Sequence, residues 1–430
     1  MSVYTLAAYV GSSIYTASTP GIIQEFYVSK TIASLGLALY VFAYGIAPMI
    51  LSPLSEIPAI GRDTPYVVTF VLFTLLSISI PLIDSIAGIL LLRFLLGFFC
   101  SPAIATAGAS CGDIFSPERL QYAIALWGGF AMLTPSLGPL VAGFAVQAED
   151  WRWSGWELLW LSAQVVVLMV FALPETSSDT ILLRRARRLR ALTGREDLKS
   201  EPEVRQSEMK AGTVAFDAFD LAILFTTTYL ALIYGIYYSF FESFPLAFQG
   251  IYGFDLDSPG MAFLCVLVGL VVVVVFLLAY IRYIAPRRFV KYDTVTPEER
   301  MWPAFIATFF IPTGLFIFAW TVRESIHWSV CMVGMAMSEC GIFLISQAIF
   351  IYLPSTYPRY AGSLFAANGL ARSLFAGAAI LFSLPMLDAL GVDGGVSLLA
   401  GLSILCIFGV YGLWFFGANL RKRSRFAVSE

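Results

Sequence analysis

Twelve apolar runs, most of them close to twenty residues long, follow one another along the chain with little between them. A helix of about 20 apolar residues crosses the roughly 30 Å hydrocarbon core of a bilayer. Inside that core each backbone N–H and C=O needs a partner within the protein. The runs therefore predict an all-α membrane protein. Charge agrees, since 13% of the residues are charged, about half the quarter that soluble domains carry.

The first run starts almost at Met1, in VYTLAAYVGSSIYT, with no basic segment and no small-residue cleavage site before it. It reads as a first span rather than a signal peptide, and a span this short at its start predicts that residues are missing ahead of it. Spans at 31–51, 65–83, 86–108, 120–147 and 157–173 complete a six-helix half, 1–174. Residues 175–217 are polar, and their opening ILLRRARRLRALTG predicts a basic amphipathic helix at an anionic membrane surface. Six further spans, at 219–241, 261–281, 303–322, 328–353, 362–387 and 397–418, make a second half, 218–418, before a tail at 419–430.

Charge placement orients this count. Of the 26 lysines and arginines, all but Lys30, Arg93, Arg152, Arg323 and Arg372 fall on one side of a twelve-span threading. The positive-inside rule makes that side the cytoplasm, with both termini there. The outer loop WRWSGWELLW brings Trp151, Trp153, Trp156 and Trp160 to the opposite interface as an anchor. Two matched halves predict a transporter with its site between them near mid-membrane.

Several classes drop out. The six cysteines lie in or beside apolar runs without paired spacing, and His327 is the one histidine, so no disulfide or zinc framework is expected. No Gly-Lys-Ser/Thr loop occurs, which removes an ATP-driven motor. The basic cluster is mixed with acids between spans, so nucleic acid is not an expected partner.

The chemistry must come from polar groups inside the spans. Arg93, in LLLRFLLGFFCSPA, has to face protein or water; it either bonds backbone carbonyls or biases a proton-binding group. Glu339 in span ten and Glu242 in the outer part of span seven are the acids that can carry a proton, and each can also be a hydrogen-bonded packing residue. Arg372 in span eleven is structural or substrate-facing. Tyr15, Tyr40, Tyr234, Tyr238 and Phe241 are candidates for a cavity that takes flat, greasy compounds. In WGGFAMLTPSLGPLVAGF, 127–144, the residues Gly128, Ala131, Pro135, Gly138 with Pro139, and Ala142 share one helical face. A face so poor in side chains suits close helix contact, as packing alone or as an element that sets how a transporter opens.

These motifs together resemble the major facilitator superfamily, and within it the fungal twelve-span drug:proton antiporters of the benomyl and azole resistance type. SPLSEIPAIGR is similar to the loop motif between spans two and three, with two extra residues between acid and glycine; the resemblance makes Glu56, Gly61 and Arg62 a gating latch. RFLLGFFCSPA resembles the span-four motif and implies a proton-transfer role for Arg93 and close packing at Gly97. The 127–144 stretch resembles the antiporter motif at Gly138, Pro139, Ala142 and Gly143, with Thr134 and Pro135 where many members repeat Gly-Pro. WELLWLS, LPETSSDTILLRRARRLR, FESFPLAFQGIYGF and YPRYAGSLFAANGLARS extend the likeness over nearly the whole chain. Many relatives carry an acid near the end of span ten where this chain has Ser355, so no coupling role is expected there.

The resemblance implies a twelve-helix major facilitator fold that exports small hydrophobic or amphipathic compounds in exchange for protons by alternating access. It implies no cofactor beyond the proton gradient, no metal and no enzymatic reaction. The partners expected are a small-molecule substrate, protons and membrane lipid, with the chain acting as a monomer in the plasma membrane. Span five should seal its smooth face against span eight. Proton-coupled uptake of a nutrient or polyamine, and a non-transporting receptor of the same fold, are the alternative readings.

Overall fold

A computed structural model of the chain describes residues 1–195, 197–201, 203–204, 221–253, 258–286, 301–356 and 361–423. The rest of the expected linker, the start of the second half at 218, the basic residues Arg287, Arg288, Lys291, Arg300 and Arg359, and the tail from 424 lie outside the described residues. Among those described, every regular element is helical.

Helices α1 (Ser2–Ser13) and α2 (Tyr15–Phe26) form the first crossing, and α3 (Lys30–Ile46) with α4 (Pro48–Glu56) the second. α5 (Asp63–Ser77), α6 (Ile86–Ala105) with α7 (Ala107–Ile114), α8 (Pro117–Ala148) and α9 (Trp153–Ala172) complete the first half. The linker contributes α10 (Ser178–Thr193). The second half holds α11 (Leu221–Phe244), α12 (Ser258–Ala279), α13 (Trp302–Thr321), α14 (Trp328–Thr356) and α15 (Ala361–Arg423).

Ten described segments are long and apolar enough to cross a membrane. The last of them, Leu364–Gly417, has 54 residues, about 80 Å of helix at 1.5 Å per residue and more than two hydrocarbon thicknesses. Gly391 breaks it with φ 74° and ψ 166°, a backbone conformation that only glycine adopts without strain. α15 therefore crosses twice. α1 and α2, 12 residues each, are too short singly to be among the ten. With these two adjustments the count agrees with twelve spans.

What breaks the first span is also what ties the half together. The last carbonyls of a helix have no partner inside it. α1 ends at Ser13, leaving the carbonyls of Gly11 and Ser12 exposed to the apolar interior. Arg93 reaches across from α6 and caps them, Nη1 to Gly11 O at 2.8 Å and Nη2 to Ser12 O at 3.0 Å. Its Nε adds a longer bond to Gly36 O on α3, 3.3 Å. The guanidinium lies between the rings of Tyr15 and Tyr40, 4.5 and 4.7 Å from their centroids. Glycines make the approach possible: a side chain at Gly97 would strike the backbone of Tyr40. α1, α3 and α6 are thus one polar-centred unit.

The two halves meet along α3 against α15 and along α8 against α12. Outside the bundle, α10 starts with the Ser177 hydroxyl accepting from Thr180 N and ends at Gly194, φ 68°. It turns Thr180 and Leu183 inward, while Arg184 reaches Asp63 and Glu175 at 3.5 and 3.6 Å. Farther on, Arg190 pairs with Glu203 at 2.6 Å. Backbone bonding from Ser200 and the Arg190 charge hold the Glu203 carboxyl down at about 2.

Replacing Arg93 with alanine leaves the buried carbonyls of Gly11 and Ser12 at the end of α1 without their donor. Each such group costs about 1–3 kcal/mol, so Arg93→Ala is expected to lower the melting temperature of the detergent-solubilised protein by several degrees. An unchanged melting curve would show that the capping bonds do not hold the half together.

Candidate functional site

Two cavities open toward opposite ends of the bundle. At the end away from α10 a cavity of about 570 Å³ is lined by residues that include Thr16, Gln24, Pro139, Gly143, Phe241 and Phe263. At the α10 end a cavity of about 360 Å³ is lined by residues that include Tyr44, Glu56, Arg62, Trp127, Asn368 and Arg372. Tyr44 borders one and Phe241 the other, and Tyr238 touches both. The Tyr44 hydroxyl donates to Tyr238 Oη across the halves at 3.1 Å, and the Tyr238 ring lies 5.5 Å from that of Phe241. Tyr237 meets Tyr238 edge-on at 5.7 Å. Its hydroxyl donates to Met132 O on α8 at 3.2 Å, with Ser136 Oγ 3.4 Å away. A buried aromatic layer therefore stands between the cavities.

Tyr238 lies in that layer, and so does Tyr234, whose ring carries the Arg372 guanidinium at 4.1 Å. Phe241 lines the larger cavity, as a candidate cavity residue should. Tyr15 and Tyr40 do not line either cavity. Their rings flank Arg93, and their hydroxyls donate to Ala33 O at 3.0 Å and Ala8 O at 2.7 Å. An inward tyrosine on a short, tightly packed span finds the nearest carbonyl, and that takes these two into the core of the first half.

The candidate coupling residues are not brought together. The bonds of Arg93 go to carbonyls, and no carboxylate pairs with it among the described residues. Glu339, on α14, is 2% exposed, and its Oε1 has no hydrogen-bond partner among the described residues. Tyr234, Tyr237 and Cys265 are near enough to feel its charge. Glu242 accepts a 2.8 Å bond from Ser34 Oγ of α3, which makes it a link between halves. Ser355 lies among residues whose side chains are not described.

The latch differs in its partners from the expectation. Arg62 pairs with Asp113, at the end of α7, at 3.1 Å, and not with Glu56, which instead borders the smaller cavity. Gly61, φ +82°, closes the turn before it, and a side chain there would strike the Glu175 carboxylate. That turn presents the Arg62 backbone N–H to Glu175 Oε1 at 3.1 Å. Glu175 also accepts from Thr176 N and Ser177 N at 3.0 and 2.9 Å. The loop between the second and third spans is thereby clasped to both α7 and the linker. The two extra residues between Glu56 and Gly61 carry the acid away from the arginine. Asp113 and Glu175 were findable as lone acids at the edges of apolar runs, but nothing in their spacing selects Arg62 as a partner.

The smooth face of α8 serves more than one neighbour. Gly129, which is not one of the residues of that face, approaches Val274 of α12, whereas Gly128 on the face meets Gln347 of α14 and not span eight. Gly138 packs on Ser13 and the Ile14 backbone, at the break in the first span. Gly143 has no neighbour at its missing side chain and lines the larger cavity with Pro139. Thr134 bonds its own helix, Oγ1 to Phe130 O at 2.5 Å, one residue before Pro135; such back-bonding bends helices. Trp151, expected at the lipid interface, is buried over Gly21, with Nε1 donating to Glu25 at 2.5 Å.

If the Arg62–Asp113 pair holds the α10 end closed, Arg62→Asp should abolish transport through like-charge repulsion. Adding Asp113→Arg should restore a measurable fraction of it. A double variant no better than the single would separate the pair from the activity.

The profile of the Major Facilitator Superfamily matches residues 1–380. Over 99% of its length the chain is 41% identical to MFS-type transporter pyvG of Aspergillus violaceofuscus, 80% of which is covered. It is 37% identical to Fluconazole resistance protein 1 of Saccharomyces cerevisiae, across 98% of this chain and 79% of that protein. With the Cycloheximide resistance protein of Candida maltosa the identity is 34%, across 98% of this chain and 80% of the other. With its helical halves, paired cavities and this similarity along the chain, the protein belongs to the Major Facilitator Superfamily and is a multi-pass membrane transporter, not an enzyme.

Proposed function

We propose that this transporter exports small hydrophobic or amphipathic compounds in exchange for protons, by alternating access, as a monomer in the plasma membrane. The distribution of lysine and arginine supports a cytoplasmic position for both termini and α10. The observation that carries the reading is the pair of cavities facing opposite ends with one aromatic layer between them. Rocking of the halves about that layer would open one cavity while closing the other. Relatives named for fluconazole and cycloheximide resistance support a drug-like cargo and the outward direction. The smaller cavity, on the α10 side, is then the entry for cytoplasmic substrate.

Proton exchange is assigned to two acids of the spans, buried Glu339 and half-buried Glu242. Among the described residues Glu339 is in no ion pair and its Oε1 has no hydrogen-bond partner, so it is free to take up or release a proton as the halves move. Glu242 bonds Ser34 across the halves, so its proton and the closure of that end belong to one event. Arg93 contributes by positioning α1 and α3, since its donors are occupied by carbonyls. The driving force is adequate: one proton gains about 2.3 kcal/mol per 100 mV. It gains about 1.4 kcal/mol more per pH unit.

In proteoliposomes holding the purified chain, transport of a labelled azole is expected to stop when the proton gradient is collapsed. Continued accumulation at the original rate would sink the exchange reading. Glu339→Gln should lose gradient-driven accumulation and keep substrate–substrate exchange across the membrane. A variant that still concentrates substrate would take the proton away from Glu339.

A further inference from the structure

The chain treats its two buried span arginines differently. Arg93 is given three carbonyl acceptors. Arg372 is 7% exposed, yet its Nε has no hydrogen-bond partner, and no carboxylate pairs with it among the described residues. Its company is aromatic: the Tyr234 ring at 4.1 Å and the Phe350 ring at 5.8 Å. Ring faces offset only part of what a guanidinium loses on leaving water.

One helical turn earlier, on the same face of α15, stands Asn368. It is 2% exposed, and neither its Oδ1 nor its Nδ2 has a partner among the described residues. Buried amides are ordinarily satisfied. Both residues line the 360 Å³ cavity at the α10 end. The charges at its mouth do not neutralise Arg372, because Asp113 is held by Arg62 and Glu56 forms no ion pair with it. A cavity with a preformed cation, an unused amide and aromatic walls has the donor set for an oxyanion on an apolar body. A guanidinium presents two parallel N–H groups to a carboxylate. The cavity falls within the usual range for small ligands, about 300–1,000 Å³.

We infer that Arg372 and Asn368 form an anion subsite in the smaller cavity, and that the preferred cargo is an organic acid with an aromatic or similarly flat body. The carboxylate sits on Arg372 and accepts from Asn368 Nδ2, while the body lies among Phe350, Phe365 and Trp127. The inference rests on the export reading and narrows its substrate class. It excludes polyamines, which would set cation against cation.

The test is equilibrium binding to the purified full chain in detergent at pH 7, by calorimetry, with 2-naphthoate and 2-naphthamide as probes. The two share a ring system and differ in the anionic head. Naphthoate is expected to bind at least about tenfold more tightly, the factor carried by one charge-assisted hydrogen bond. Arg372→Gln should erase that preference, and a melting curve in detergent matching that of the native chain reports that the variant is folded. Should that variant not fold, Asn368→Asp supplies an internal carboxylate to Arg372 and is expected to remove the preference in its own way. Equal affinities in the native chain, binding of neither probe, or a preference that survives in the variants would overturn the subsite. Export of a neutral azole from cells is measured separately. Azole export without a carboxylate preference refutes the subsite alone. A carboxylate preference in a chain that exports nothing refutes the export reading alone.

Discussion

The rest of the structure depends on the rule that a polar group inside a bilayer must be satisfied by the protein itself. The first span is not one helix, and its break frees carbonyls where no water can reach them. Arg93 answers that need from another helix, so a local defect becomes a long-range tie among α1, α3 and α6. Tyr15 and Tyr40 cover the charge on both sides, and glycines let the backbones come close enough for the reach. Because lipid offers no hydrophobic incentive for helices to associate, such bonds and close contacts carry the cohesion of the half.

Between the halves the same currency is used more sparingly. Ser34 to Glu242, Tyr44 to Tyr238 and Tyr237 to the Met132 carbonyl are single hydrogen bonds at different depths. Each contributes only about 1 kcal/mol net, so together they hold the halves in register without welding them. α8 fits this economy. Its small residues touch the first span, α12 and α14 in turn, and its missing side chains form part of the wall of the larger cavity.

Much of the fold was legible because hydropathy and charge report directly on crossing and sidedness. Run length alone marks most of the crossings, but not the break within the first span or the single-residue turn at Gly391, where a longer connection was expected. The candidate site was less so. In a water-soluble helix the apolar face marks the core, whereas here lipid-facing and core-facing positions are equally apolar: Leu405, Phe408 and Phe415 are exposed, while Phe240 and Phe318 are buried. Nothing in the pattern therefore sends Tyr15 to the core and Phe241 to a cavity. Partner choice was hidden for a second reason. Arg62 selects Asp113 over the nearer Glu56 through the course of the turn at Gly61, which a spacing rule does not contain. Asn368 and Gln347 carried one usable signal, as amides inside apolar runs, which are rare unless they are used.

The turn at Gly391 has a mechanical meaning. Helix runs almost directly from the span that bears Asn368 and Arg372 into the last span, with one glycine between them and no loop to absorb movement. The two legs form a stiff hairpin. One leg lies against α3 of the other half, and the second shows Leu405, Phe408, Phe415 and Phe416 to the lipid. Any shift of Arg372 has to drag that greasy leg through the acyl chains, so the thickness and viscosity of the bilayer enter the work of moving the arginine.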